Sequence, residues 1–243
     1  MSYFKINKID AIDSTNEALK KQYHQGELLH GDLLWAFDQV KGKGQSDRQW
    51  LSEPKKNLTF SFFLNADNLS LSTVFVLNCW VALALKSALN SFGIPAVSIK
   101  WPNDIMSENK KICGILIENI YRGSKHAGSI VGIGLNVNQI NFPNLAQASS
   151  MRLSSGRIFD LEEVIHTLLH HLAKYFSSQM TPKESFAAFN AALFGLHQQR
   201  TFIKEGKSFI ASVQSVNEQG ELILKTEDQK ELYFQNKGIE WVY

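Results

Sequence analysis

The sequence predicts an α+β protein in which a larger region of mixed helices and strands precedes a small β-barrel. Apolar runs of strand length are interspersed with helical patterns up to about Leu196. After that residue the chain changes to four short strand-like runs, which are divided by turn residues at Asn217–Gly220 and Glu227–Gln229. Short strands at this spacing are typical of a small barrel. We therefore expect two domains, residues 1–196 and 197–243, which a chain of 243 residues can accommodate.

The elements of the larger region follow from local signals. The segment Ser14–Gly26 predicts a helix with a capping box between Ser14 and Glu17 and with Gly26 as its C′ residue. A long apolar helix is expected over Ser72–Phe92, capped by Ser72. The predicted strands are Leu33–Phe37, Leu58–Leu64, Ala96–Trp101, Ile112–Tyr121 and Ser129–Asn138, and further helices are expected near Asp160–Ser177 and Lys183–Phe194. The polar segment Gln139–Gly156 is expected to form a functional or mobile loop.

Charge, apolar runs and cysteines exclude several classes of protein. The formal net charge of +2 gives no general electrostatic footprint for nucleic acid, so any basic site must be local. The N-terminal residues have no apolar h-region, and the apolar run Val74–Leu85 is interrupted by Asn78 and too short to span a bilayer. Cys79 and Cys113 lie in apolar runs and are expected to be buried, reduced thiols. These features favour a cytoplasmic protein without a membrane partner.

The stretch D-Q-V-K-G-K-G-Q-S-D-R-Q-W, residues 38–50, follows a predicted strand. Gly42 and Gly44 allow the backbone to approach a ligand closely and to turn its N–H groups toward it. Lys41, Lys43 and Arg48 add three cations. Such a loop suits a phosphate or a carboxylate, although it lacks the G-K-[ST] ending of a Walker A loop. Taken alone, a solvated basic loop explains the stretch about equally well.

The stretch K-W-P-N-D begins at Lys100. Pro102 favours an extended preceding residue and ends the predicted strand, so Asn103 and Asp104 are expected at the strand's C-terminal end. Asp104 could hold Mg²⁺ through oxygen, and Lys111 opens the next strand of a predicted hairpin and would return to the same neighbourhood. A simple hairpin with solvated lysines explains the turn but not the tryptophan.

Two further stretches are ambiguous by themselves. In I-V-G-I-G-L-N-V-N, residues 130–138, the glycines are compatible with close packing alone. Asn136 lies in an apolar run and needs a hydrogen-bond partner if buried, which a ligand or a backbone carbonyl could supply. The S-T-N of Ser14, Thr15 and Asn16 serves equally as a helix cap or as part of a site.

In their order and spacing, D-S-T-N, Q-x-x-G-K-G-x-x-x-R-x-W, K-W-P-N-D, K-x-x-G-I-L-I-E and G-I-G-L-N-V-N together resemble the biotin–protein ligases. The resemblance covers nearly the whole chain. It implies a catalytic domain of the class II synthetase and biotin ligase type, with a mixed sheet backed by helices, followed by an SH3-like barrel. It also implies formation of biotinyl-5′-AMP from biotin and ATP with Mg²⁺, and transfer of biotin to one lysine of a biotin carboxyl carrier protein or domain.

The resemblance also implies roles for individual residues. Biotin contacts are expected from Ser14, Thr15, Asn16, Gln39, Lys43, Gly44, Gln45, Lys111 and Gly114. Contacts to ATP or AMP are expected from Gly42, Arg48, Trp50, Lys100, Asn103, Lys111 and Asn136. Lys43, Arg48 and Lys111 are the expected catalytic residues, and Asp104 is the candidate Mg²⁺ ligand.

The chain departs from the family pattern in one loop. Many relatives have G-R-G-R-R-G-R-x-W, whereas here Gln45 and Ser46 replace arginines and Asp47 replaces a glycine. The lower positive charge is expected to affect retention of the adenylate more than the type of reaction. Some relatives carry an N-terminal winged helix-turn-helix, and the thirteen residues before Ser14 leave no room for one, so we expect no operator binding. Some bacterial relatives dimerise, so a homodimer is possible.

Two alternatives stay open. Lipoate–protein ligases and octanoyltransferases are thought to share the catalytic fold, but their R-R-x-x-G-G-G-x-V-x-H type motif is absent here, and K-W-P-N-D favours biotin. A non-catalytic module that binds biotin, or nucleic acid through its barrel, is the second alternative. Lys111 and Arg48 argue against it, because biotin binding alone would not need the phosphate side.

Overall fold

The computed structural model describes residues 3–45, 48–68, 74–178, 180–236 and 238–242. The larger region contains seven strands: β1 Lys5–Ile12, β2 Asp32–Gln39, β3 Leu58–Asn65, β4 Val97–Lys100, β5 Asp104–Ser107, β6 Lys110–Arg122 and β7 Lys125–Leu135. Its helices are α1 Thr15–Gln25, α2 Val74–Ser91, α3 Met151–Ser155, α4 Leu161–Phe176 and α5 Pro182–Ala191, with a 3₁₀ turn at Ala66–Asn68. The remaining strands are β8 Gln199–Lys204, β9 Lys207–Val216, β10 Leu222–Thr226, β11 Glu231–Phe234 and β12 Glu240–Trp241.

The first seven strands form one sheet in the order β1-β2-β3-β7-β6-β5-β4. Strands β1 and β2 run parallel and the other neighbours antiparallel, so the sheet is mixed. Helix α2 packs against α4 and α5 in the main core. The last five strands form an antiparallel sheet in the order β11-β10-β9-β8-β12. The predicted α+β fold with a small C-terminal β domain is confirmed, while the domain boundary near Leu196 stays a prediction.

Helix α1 begins and ends as predicted, with one exception at its cap. The Ser14 side chain accepts from the backbone N–H of Glu17, and Gly26 adopts a left-handed conformation with φ 77°. The Glu17 carboxylate turns to Lys20 and Lys43 instead of completing the capping box. The reciprocal half of the predicted box is therefore wrong, because the two lysines offer charge-assisted hydrogen bonds. The predicted Ser72 cap of α2 lies outside the described residues.

Several features differ from the sequence-based expectation, among them the two-residue strand β12, which was not predicted. Strand β1 was not predicted because it is an edge strand whose residues are largely exposed, so it lacks an apolar alternation. Strand β5, Asp104–Ser107, was not predicted because it is only four residues long; it lies between β4 and β6, which were expected to form a hairpin directly, and it begins at Asp104. The segment after Gln139 contains α3, whose N-cap is Ser150. Asn136 comes directly after β7 and not within a strand, since β7 ends at Leu135.

Helix α2 is the one helix in the described parts of the chain that is long and apolar enough to span a membrane, with a mean hydropathy of 1.4 over 18 residues. However, 61% of it is buried inside the protein, so it is a core helix. Cys79 of this helix and Cys113 of β6 are both buried and unpaired, as predicted. Burial raises the pKa of both thiols.

The two sheets meet beside the K-W-P-N-D stretch. The Asn190 side chain donates to the carbonyl of Val216 at 3.0 Å and accepts from its N–H at 2.6 Å. Trp101, which precedes a cis peptide bond to Pro102, is buried and donates from Nε1 to the carbonyl of Gly220 at 2.9 Å. The tryptophan that a simple hairpin left unexplained therefore anchors the C-terminal sheet against the edge of the larger one.

Candidate active site

A cavity of about 460 Å³, which includes its open mouth, lies between the start of α1, the loop after β2 and one face of the sheet. Eleven residues predicted from the sequence line it: Ser14, Thr15, Asn16, Gln39, Lys43, Gly44, Gln45, Trp50, Asn103, Lys111 and Gly114. The lining also contains Ile115 and Leu116, the apolar strand residues next to Gly114. Sequence reasoning missed the remaining lining residues, namely Phe60, Ser61, Gly132, Ile133 and Gly134. Gly42, Arg48, Lys100, Asp104 and Asn136 were predicted but do not line this cavity.

One end of the cavity is a connected group of polar side chains. Gln39 Oε1 lies 2.8 Å from the backbone nitrogen of Thr15 and 2.9 Å from its Oγ1. Thr15 Oγ1 is 2.6 Å from Ser61 Oγ, and Ser61 donates to Asn16 Oδ1 at 2.5 Å. Thr15, Asn16 and Ser61 are all buried. Ser61 could have been found, because a buried hydroxyl in a largely apolar strand needs a partner; Thr59 of the same strand donates to the carbonyl of Ala36.

Glycines let two side chains approach β7 closely. A Cβ atom at Gly132 would lie 2.2 Å from Asn16 Oδ1, and one at Gly134 would lie 2.4 Å from the indole of Trp50. A Cβ at Gly114 of β6 would meet the same indole at 3.1 Å. The G-I-G of β7 thus forms a wall against which the Asn16 amide and the Trp50 ring lie. Glycines in a strand allow this close approach because they have no side chain.

Lys111 stands at the other end of the cavity. Its Nζ forms an ion pair with Asp104 Oδ1 at 2.7 Å and lies 5.4 Å from the centre of the Trp50 ring. The backbone of Lys111 bonds to Gln147 and Ser149, so the segment after β7 holds the start of β6. The lysine therefore projects into the cavity from a fixed backbone.

Lys100 extends this cationic region toward the C-terminal sheet. Its Nζ lies 5.4 Å from the centre of the Trp241 ring, and the side chain is buried. Burial is the main reason that its pKa falls to about 8; Asp104 raises it, and the charges of Lys111 and Arg48 lower it further. Three cations thus share one region with a single carboxylate.

The carboxylates among the described residues do not by themselves form a resident metal centre. Within the described parts of the chain, no group of three or more His, Cys, Asp or Glu side chains could hold a metal ion. Asp104 is in an ion pair with Lys111. Mg²⁺ takes one or two protein carboxylates when substrate phosphates supply the remaining oxygens, so this donor set suits a metal that arrives with ATP.

Asn136 is buried outside the cavity lining. Its Nδ2 donates to the carbonyl of Ser149 at 2.9 Å. Its Oδ1 is buried and has no hydrogen-bond partner among the described residues. A backbone carbonyl thus satisfies half of the amide, which was one of the two partners expected, and the predicted nucleotide contact stays a prediction.

The loop that covers the cavity is folded back on itself. The N–H of Gly44 donates to Arg48 at 2.7 Å and the N–H of Trp50 donates to Gly42 at 2.8 Å. A Cβ at Gly42 would lie 2.6 Å from the carbonyl oxygen of Trp50, so the glycine is needed for this close approach. Ser46 and Asp47, which replace an arginine and a glycine of the family pattern, lie outside the described residues.

Side chains tie this loop to three other parts of the protein. Lys41 pairs with Asp13 at 2.9 Å, and Lys43 pairs with Glu17 at 2.9 Å. Gln45 accepts a hydrogen bond at 2.9 Å from Asn236, which lies in the turn between β11 and β12. The loop is therefore anchored at both ends of the site without the additional arginines of the family pattern.

The α+β domain contains a cavity with a neutral polar end, a glycine wall and a cationic end. Such a cavity suits a ligand with a polar head and an anionic end. Residues 9–136 match the biotin/lipoate A/B protein ligase family, and the chain belongs to this family.

Individual relatives agree with this assignment. The chain is 28% identical over 242 residues to the bifunctional ligase/repressor BirA of Bacillus subtilis, covering 96% of this chain and 70% of that protein. It is 31% identical over 173 residues to the biotin–[acetyl-CoA-carboxylase] ligase of Paracoccus denitrificans, covering 67% of this chain and 69% of that one. It spans only 39% and 54% of the BirA proteins of Escherichia coli and Bacillus spizizenii. The resemblance to biotin–protein ligases is confirmed.

The fold agrees over its whole length with a solved structure. The biotin protein ligase from Aquifex aeolicus in complex with biotin and ATP superposes with a TM-score of 0.81 and 26% identity, covering 98% of each chain. Both the mixed sheet and the C-terminal strands fall within this match. The two proteins therefore share the whole fold and not the sequence motifs alone.

Proposed function

We propose that this chain activates biotin with MgATP to biotinyl-5′-AMP and then transfers biotin to a lysine of a biotin carboxyl carrier protein or domain. One observation carries the proposal: the buried hydroxyl and amide cluster at one end of the cavity and Lys111 at the other. The ureido ring of biotin offers N–H donors and a carbonyl acceptor, and the hydroxyl and amide cluster can form hydrogen bonds with both. The carboxylate of biotin then lies toward Lys111.

In the first half-reaction the biotin carboxylate oxygen attacks the α-phosphorus of ATP. The new O–P bond forms as the bond from the α-phosphorus to the bridging oxygen breaks, and pyrophosphate leaves with its electron pair. Two anions must approach, and Lys111, Lys43 and Arg48 offset their repulsion and stabilise the charge that develops. Asp104 would be the protein carboxylate for the Mg²⁺ that accompanies ATP, and the ion would offset the phosphate charge that opposes attack.

The nucleotide lies on the side of the cavity toward the K-W-P-N-D stretch. Its contacts are Gly42, Arg48, Trp50, Lys100, Asn103 and Asn136. The acyl adenylate hydrolyses readily in water, so the loop from Gly42 to Trp50 must exclude water until transfer. In the second half-reaction a neutral lysine amine of the carrier attacks the acyl carbon, AMP leaves, and the amine proton passes to solvent.

The expected partners follow from the reaction. The carrier domain supplies the acceptor lysine, and the net charge of +2 supports neither a DNA nor a membrane partner. A cytoplasmic location agrees with two buried, reduced thiols. A homodimer is compatible with all of these expectations, and sedimentation tests it.

ATP–pyrophosphate exchange tests the proposal. It is measured with biotin, lipoate and octanoate, on wild type, Lys111→Ala and the control Lys110→Ala, whose exposed side chain is adjacent in sequence. We expect exchange with biotin alone, strongly reduced in Lys111→Ala and retained in Lys110→Ala. Exchange with lipoate or octanoate alone would assign the chain to the sister activity. No exchange in protein that still binds biotin would leave the non-catalytic binding module in its place.

A further inference from the structure

We propose that Glu118 sets the donor and acceptor pattern of the polar end of the cavity and so selects a ligand head that carries N–H groups. The proposal rests on the proposed function, because it concerns the biotin end of the same site. Glu118 closes the K-x-x-G-I-L-I-E stretch and lies on β6, outside the cavity lining. Its role is therefore to position another side chain, not to contact the ligand.

The carboxylate of Glu118 determines how the Asn16 amide is oriented. Glu118 Oε2 accepts from Asn16 Nδ2 at 2.8 Å, and its Oε1 lies 2.5 Å from Lys20 Nζ. An asparagine amide can be turned either way, but an ionised carboxylate only accepts hydrogen bonds. Nδ2 must therefore face Glu118, and Oδ1 must face Ser61.

This orientation fixes the proton of Ser61. A hydroxyl has one proton, and Ser61 donates it to Asn16 Oδ1. Thr15 Oγ1 then has one proton for two contacts, with Ser61 at 2.6 Å and with Gln39 Oε1 at 2.9 Å, so this proton is used within the cluster. Gln39 Oε1 remains satisfied by the backbone N–H of Thr15 at 2.8 Å. What the two hydroxyls can still offer to the cavity is lone pairs, so they act as acceptors toward a ligand.

Acceptors at this position discriminate between acids of the kind that this family uses. A ureido head supplies N–H groups to them. A dithiolane or alkyl head supplies none and would leave buried acceptors without partners, which is costly. Glu118 thus acts on specificity through Asn16, Ser61 and Thr15. Lys20, which also contacts Glu17 at 3.0 Å, holds the other carboxylate oxygen in place.

Glu118→Gln tests the idea, because glutamine has the same shape but can donate as well as accept. The Asn16 amide can then turn, and Ser61 can direct its proton into the cavity. We expect the Kd and KM for biotin to rise on the order of tenfold, with kcat and the KM for ATP nearly unchanged. The preference for biotin over lipoate should fall. The matched control is Glu27→Gln, which removes one exposed carboxylate at the end of α1 and should leave all four values unchanged.

A double-mutant cycle separates this role from a general structural one. In a Ser61→Ala background the proton that Asn16 directs is absent, so Glu118→Gln should add little further loss of biotin affinity. Calorimetric biotin binding keeps the two proposals apart, since it does not depend on catalysis. A wild type that binds biotin without pyrophosphate exchange contradicts the proposed function only. Unchanged biotin affinity in Glu118→Gln, or fully additive losses in the cycle, would overturn the role of Glu118.

Discussion

Lys111 Nζ and Asp104 Oδ1 lie 2.7 Å apart across the neighbouring strands β6 and β5. Asp104 pairs in register with Gly114, whereas Lys111 lies opposite Met106. The lysine side chain extends along β6 until its Nζ lies 3.2 Å from the Cβ position of Gly114, where it meets the carboxylate. The hairpin between them brings the K-W-P-N-D and K-x-x-G-I-L motifs together. Asp104, which does not itself line the cavity, thus orients the Lys111 side chain.

Removing this partner should impair chemistry more than folding. In Asp104→Asn the lysine loses its charged partner and its fixed direction, so we expect kcat for adenylate formation to fall on the order of tenfold. Single-turnover kinetics would measure it. The control is Asp67→Asn, which removes the carboxylate from the exposed pair with Lys125 at 3.2 Å and should leave kcat unchanged. Equal rates in Asp104→Asn and wild type would contradict an aiming role for this carboxylate.

Gly134→Ala should displace the Trp50 ring. Its Cβ would lie 2.4 Å from the indole, a clash that requires the ring to move, whereas Gly114→Ala would meet it at 3.1 Å. We expect a stability loss of about 1–3 kcal/mol in Gly134→Ala and a smaller one in Gly114→Ala. Urea unfolding measures both. Adding Trp50→Ala to Gly134→Ala should recover part of the loss, and no recovery would place the strain elsewhere.

Loosening the loop should release the adenylate faster. Glu17→Gln breaks the exposed pair with Lys43, and such a pair contributes at most about 1 kcal/mol, so the release rate should rise no more than about fivefold. Asn236→Ala, which removes the hydrogen bond to Gln45, should act in the same direction. Gln45→Arg adds a cation to the loop and should slow release.

Release is followed as biotinyl-5′-AMP in solution in a rapid-filtration assay without carrier protein. Glu27→Gln, which removes one exposed negative charge just after α1, serves as the control for loss of a carboxylate. Identical release in wild type, Glu17→Gln and Asn236→Ala would mean that these ties do not hold the loop during the reaction.

The buried Lys100 should give stability an unusual dependence on pH. Its pKa is lowered to about 8 in the folded protein, mainly by burial, from the ordinary 10.5. Below pH 8 both folded and unfolded states hold the proton, and the full cost of burying the charge is present. Between pH 8 and 10.5 the unfolded state binds more protons, so stability rises with pH by up to about 3 kcal/mol from this group.

Lys100→Met tests this, because methionine keeps the apolar stem without the charge. The difference in unfolding free energy between Lys100→Met and wild type should shift in favour of wild type as pH increases from 7 to 10. Denaturant unfolding at each pH gives the two curves. Parallel curves would mean that Lys100 keeps an ordinary pKa.

Local patterns determined much of this protein. The helical spacing and caps of Ser14–Gly26 predicted α1, and the apolar run Leu58–Leu64 predicted β3, because caps and periodicity act within a few residues. The motif order identified the family, and it also predicted eleven of the residues around the cavity. Strand β1 escaped prediction because an exposed edge strand has no apolar alternation.

Tertiary structure alone decided the contacts between distant residues. Asn16 meets Glu118 across 102 positions, and Thr15 meets Ser61 across 46. These pairs depend on the order and register of strands that are far apart in sequence. A shift of one residue in the register of a strand would turn each of its side chains to the other face of the sheet. Motif order could therefore predict which residues share the cavity. The direction of the hydrogen bonds around Asn16 depends on the long-range contact with Glu118, because an ionised carboxylate only accepts and so turns the Asn16 amide nitrogen toward itself.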